Sequence, residues 1–127
     1  MRKSTLVIIV TSILLFAAIP LKTPAESIPT RVGQCTNTRV VKVGTRLEDV
    51  AGSGTAVNFS NGISLISYDT VPQAEESKPG DKVKICLKSI PKNCPPNDDR
   101  GRVYTVTNLR TKKKFTLPDS QHQCGGS

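Results

Sequence analysis

Residues 81–88 read DKVKICLK, and the fold class turns on them. Val83, Ile85 and Leu87 recur at every second position, with Lys82, Lys84, Cys86 and Lys88 between them. Side chains two residues apart in an extended chain share a face. The pattern therefore predicts a strand with one buried apolar face and one wet, positive face. Pro79-Gly80-Asp81 supplies a turn into it.

Strand signals extend in both directions from this stretch. Upstream, residues 39–43 (RVVKV) are rich in β-branched side chains and predict a first strand, and residues 55–59 (TAVNF) a second. Asn61-Gly62 then predicts a tight hairpin, because both residues tolerate the positive φ of a type I′ turn. Residues 63–68 (ISLISY) form the returning strand. The polar connection 69–81 has room for one helical turn at 74–77, limited by Pro72 and Pro79. Downstream, residues 89–101 hold three prolines and no apolar period, so they read as a long loop. Residues 103–109 and 115–117 are further strands, separated by the charged turn 110–114 and stopped by Pro118. Five or six short strands, no convincing helix and no internal repeat predict an all-β fold. The expected architecture is a small antiparallel barrel or curled sheet of the OB-like or SH3-like kind, stapled by disulfides.

The N-terminus has a different character. Arg2 and Lys3 precede an apolar run from Leu6 to Ile19 interrupted only by Thr11 and Ser12, and Thr23-Pro24-Ala25 places small residues at a cleavage site. This is the pattern of a secretory signal peptide cut after Ala25. Fourteen helical residues reach about 21 Å, short of the roughly 30 Å of bilayer hydrocarbon, so no stable membrane span is expected after cleavage. The expected organisation is a signal peptide at 1–25, a loose lead-in at 26–34 and a single β-domain at 35–127. Cleavage leaves 102 residues and lowers the net charge from +8 to +5. The location implied is periplasmic or secreted.

Only four aromatic residues follow the signal (Phe59, Tyr68, Tyr104 and Phe115), and so thin a core calls for covalent support. Four cysteines supply it, and in an exported chain they read as two disulfides. Of three possible pairings, the expected one joins Cys86 to Cys94 across a short loop and Cys35 to Cys124 from end to end. The loop-entropy relation values the long bridge at about 4–5 kcal/mol and the short one below about 3 kcal/mol. No zinc-type ligand spacing accompanies the cysteines, so no metal site and no cofactor are expected.

Three clusters could carry function. Asp119, Ser120 and His122 are residue types of hydrolase sites, and His122 is the only histidine. A triad needs each member to touch the next, and neighbours in one loop seldom do. The simpler reading is a tail pinned by Cys124. Asn97-Asp98-Asp99-Arg100-Gly101 lacks the spacing of a calcium loop and contains a repelling arginine, so a turn is expected there. The basic residues are the candidate ligand-binding set. Lys82, Lys84 and Lys88 line one strand face, Lys92 follows, and Lys112, Lys113 and Lys114 crowd a hairpin tip. Such faces attract phosphate-rich or carboxylate-rich polymers. Nucleic-acid binding normally adds aromatic stacking platforms, and the four aromatics are expected in the core, so nucleic acid is not an expected partner.

The runs NGISLISYDTVP (61–72), SKPGDKVKICLKSIPKNCPPNDDRG (77–101) and VYTVTNLRTKKKFTLPDSQHQCGG (103–126) resemble a group of small exported bacterial proteins of unknown function. GDKVKICL, CPPNDDRG and DSQHQCGG are the most specific pieces. The resemblance implies a periplasmic or secreted setting and supplies no activity. A weaker likeness, through Gly52-Ser53-Gly54-Thr55-Ala56, is to periplasmic inhibitors of C-type lysozyme, which are small disulfide-bonded β-barrels. Their second binding motif is not recognisable in this chain, and a basic inhibitor would be repelled by a basic lysozyme. The expected function is a non-enzymatic binding or interaction module of the cell envelope, taking an anionic envelope polymer or an envelope protein. The alternatives are an inhibitor of an envelope-directed enzyme and a small hydrolase using His122.

Overall fold

The computed structural model describes residues 4, 5, 7–16 and 26–126. Residues 7–16 carry neither helix nor strand. The cleavage site at Thr23-Pro24-Ala25 lies outside the described residues. Among the described residues no helix is long and apolar enough to cross a membrane.

Among the described residues, six strands and one helical turn follow in order: β1 (Cys35–Thr45), β2 (Thr55–Phe59), β3 (Ser64–Ser67), α1 (Pro72–Glu75), β4 (Lys82–Ser89), β5 (Val103–Asn108) and β6 (Lys114–Pro118). They form one sheet in the order β3-β2-β1-β4-β5-β6, with every neighbouring pair antiparallel. The long β1 is the centre. Its first half pairs with β4 and its second half with β2. Edge strands β3 and β6 come into contact without pairing, so the sheet curls into a half-barrel. A register shift between Val40 and Lys42 leaves Val41 as an extra, exposed residue. Such a bulge bends and twists a strand where the sheet must turn.

The alternation in β4 is realised as read: Val83, Ile85 and Leu87 are buried and the lysines exposed. Val106 and Tyr104 from β5, Phe115 and Leu117 from β6, and Val57 and Phe59 from β2 join them in one core. Tyr68 does not. It is 54 % exposed, with the Arg46 guanidinium 4.4 Å from its ring centre. The β2–β3 hairpin is present, but its turn differs from the type I′ expected at Asn61-Gly62. The Gly62 N–H donates to the Phe59 carbonyl, the Phe59 N–H donates to the Ile63 carbonyl, and Gly62 alone takes a positive φ, of 94°. That is a type I turn closed by a glycine bulge, which suits a three-residue loop. Asn61 serves instead through its side chain, accepting from the Ile63 N–H.

The disulfides correct the expected pairing. Cys35 is joined to Cys86 and Cys94 to Cys124. Register decides the first. Cys35 lies directly opposite Cys86 across β1–β4, with Cα atoms 4.0 Å apart. The Leu87 N–H donates to the Gln34 carbonyl, so the neighbouring pair is hydrogen-bonded and Cys35/Cys86 is the closer, non-hydrogen-bonded kind. Cys86 does point to the wet face, but its neighbour there is another strand, not the following loop. Cys94 is left to hold the C-terminal tail, 5.3 Å away at Cys124.

Polar contacts tie the segments outside the strands to the sheet. The stretch 26–34 runs along it, with Glu26 Oε2 accepting from the Thr38 and Ser60 hydroxyls at 3.0 and 2.6 Å. The Gly33 N–H donates to the Leu87 carbonyl. At the other side Asp81 is 8 % exposed and accepts four hydrogen bonds: from the Lys78 N–H (2.8 Å), Asn108 Nδ2 (2.9 Å), and Arg110 Nε and Nη2 (2.7 and 2.9 Å). These bonds lock the turn before β4 onto the β5–β6 turn. The Arg110 bonds hold the Asp81 carboxyl well below the ordinary carboxylate range, against the opposing effect of burial.

Candidate functional site

Charge is segregated along the chain. The six strands contain Arg39, Lys42, Lys82, Lys84, Lys88 and Lys114, and not one Asp or Glu. Alternation sends these bases outward, because the inward positions are filled by the core. Register then fixes which of them are neighbours. Asn37, Lys84, Thr107 and Lys114 form one row across β1, β4, β5 and β6. Arg39 and Lys82 form the start of the next, and the Cys35–Cys86 bridge lies in the row on the other side with Thr105 and Thr116.

The seven lysines read from the sequence therefore separate. Lys82, Lys84 and Lys114 belong to this face, and Lys88 extends it along β4. Lys92 is exposed in the loop beyond. Lys112 sits at a positive φ in the β5–β6 turn. Lys113 is drawn to Glu76, 2.6 Å away, and its charge is compensated there. Arg39 is the member the sequence reading missed. Its only signal was its outward position in RVVKV; that it stands opposite Lys82 depends on pairing between segments 43 residues apart. Arg39, Lys82, Asn37, Leu109 and Glu26 line a hollow of about 350 Å³ at one end of the face.

The tail cluster is built differently. Asp119 Oδ1 accepts from the Gly101 N–H at 2.8 Å, and the Asp119 N–H donates to the Arg102 carbonyl. Burial raises the pKa of this carboxyl, with backbone hydrogen bonding to it from Gly101 and Arg102 opposing. Ser120 Oγ accepts from the His122 backbone N–H. Among the described residues no hydrogen bond links the His122 ring to Ser120 or Asp119. The Cys124 N–H donates to the Arg100 carbonyl and the Gly125 N–H to Asp98, so the tail is pinned through the Cys94 bridge. It lies over the outward side of β2 and β3, where Asn58, Ser64 and Ile66 complete a cavity of about 330 Å³ with Asp119, Ser120 and His122.

The 97–101 stretch is a turn. Asn97 takes a positive φ of 64°, and Asp98 receives Arg100 Nε and Nη2, both at 2.9 Å. That pairing depresses the Asp98 pKa. Among the described residues no group of three acidic, histidine or cysteine side chains is placed to hold a metal ion.

Comparison with known proteins gave no matching family model, no matching curated protein and no matching solved structure.

Proposed function

We propose that this protein is a non-enzymatic binding module of an exported compartment, and that its ligand is an anionic polymer held on the outward face of β1, β4, β5 and β6. The observation that supports this reading is the charge segregation: six bases and no acid on the strands, with Lys42 compensated by Glu48 at 3.4 Å and the other five without an ion pair among the described residues, and with Lys84 and Lys114 in one cross-strand row. A row of like charges on a rigid sheet raises the local concentration of a polyanion. Threonines between the lysines offer hydroxyls to a ligand that also carries polar groups. Two disulfides suit an oxidising, periplasmic or extracellular setting. Export by a signal peptide cut after Ala25 completes the proposal.

Retention of the oxidised protein on immobilised polyphosphate and polyglutamate, measured across a salt series, tests it. Screening over about 10 Å at 0.1 M salt and 3 Å at 1 M predicts binding at low salt that is lost near 1 M. Neutralising Lys84, Lys88 and Lys114 to Gln should move elution to much lower salt. No retention at low salt, or retention indifferent to these variants, refutes the reading. A single envelope protein held at high salt would favour a protein partner instead.

A further inference from the structure

The pair Arg39 and Lys82 breaks a rule that the rest of the sheet obeys. Directly opposite residues on antiparallel strands interact, and like charges placed so are destabilising. These two stand opposite each other at a non-hydrogen-bonded position, by the same alternation that places Cys35 against Cys86, and there side chains come closest. Neither side chain forms an ion pair among the described residues; the Arg39 guanidinium reaches only the Gly80 carbonyl, at 3.5 Å. Both line the 350 Å³ hollow, with the Asn37 amide beside them. A local rule broken in this way is what a functional site in a fold is expected to show.

We infer that this hollow is a discrete oxyanion subsite, and that it takes a phosphate group of the polymer. It rests on the polyanion reading above and gives it a specific anchor. The guanidinium offers a planar fork of donors and the ammonium a compact charge, and both favour phosphate oxygens. Three donor side chains suit the several oxygens of a tetrahedral phosphate better than a two-oxygen carboxylate. Glu26, on the hollow's wall, is the opposing charge. Its Oε2 is held by Thr38 and Ser60, and it weakens anion binding.

The test is thermal unfolding of the full oxidised chain with and without inorganic phosphate, with chloride at matched ionic strength as control. An Arg39→Gln, Lys82→Gln double variant should melt higher than wild type without ligand, by about 1–4 °C, because the repulsion is gone. Phosphate at ten times its Kd should raise the wild-type midpoint by about 5–10 °C and leave the double variant unmoved. Glu26→Gln should enlarge the shift. Lys84→Gln with Lys114→Gln should weaken retention on polyphosphate yet keep the shift with free phosphate. A double variant that melts lower than wild type, or that keeps the phosphate shift, overturns the subsite. Wild type retained on polyphosphate but unmoved by inorganic phosphate also overturns it and leaves the broader face standing. Failure of both retention and shift removes both.

Discussion

Asp81→Ala should remove one of the largest polar contributions to stability outside the apolar core. The carboxylate accepts four hydrogen bonds and is 8 % exposed. Its removal does not cost four bonds equally. Arg110 is 46 % exposed at its side chain and regains water, so its two charge-assisted bonds are heavily discounted. Asn108 Nδ2 keeps Ser77 Oγ at 3.0 Å. The Lys78 N–H loses its side-chain acceptor. Together these give a loss of about 2–4 kcal/mol, a large part of the 5–15 kcal/mol typical of a domain this size. Urea unfolding at pH 7 measures it.

The pH dependence carries the sign. Because Arg110 and Asn108 hold the folded Asp81 pKa below its ordinary value of 3.8, its contribution is complete above about pH 4 and is lost as pH falls below that. The stability gap between wild type and variant should therefore narrow from pH 4 downward. Asp98, also depressed, acts alike in both proteins and cancels in the difference. A loss below about 1 kcal/mol, or a gap that stays constant down to pH 2, would refute the network as a source of stability.

Other outcomes follow from the same geometry. Replacing Cys35 and Cys86 together by Ala should lower stability by about 4 kcal/mol, from a sequence separation of 51 residues, and replacing Cys94 and Cys124 should cost nearly as much, from 30. Mass mapping of the unreduced digest should recover both bridged peptides; a Cys35–Cys124 peptide would contradict the register. Gly54→Ala should cost more than about 3 kcal/mol, since Gly54 is buried at φ 124° and an added Cβ would overlap the Ser67 carbonyl oxygen. A thermal midpoint within 5 °C of wild type would argue against that close approach.

What the sequence determined by itself is what has a short period. The alternation in residues 82–88, the β-branched runs of β1 and β2, the turn residues Asn61-Gly62 and Pro79-Gly80, and an even cysteine count are each legible within a few neighbours. They were enough for the all-β class, the strand positions and the outward direction of Lys82, Lys84 and Lys88. The longer reach of β1, back to Cys35, was not legible, because its first half is a strand by virtue of pairing with β4. Tertiary structure alone decided which residues stand beside which. It set Cys35 against Cys86, Arg39 against Lys82 and Lys84 in line with Lys114, buried Asp81 under Arg110, and paired Lys113 with Glu76. The physical reason is that a strand's own pattern fixes only which face a side chain takes. Its lateral neighbours come from the register between strands tens of residues apart, and that register is chosen by the packing of the whole curled sheet.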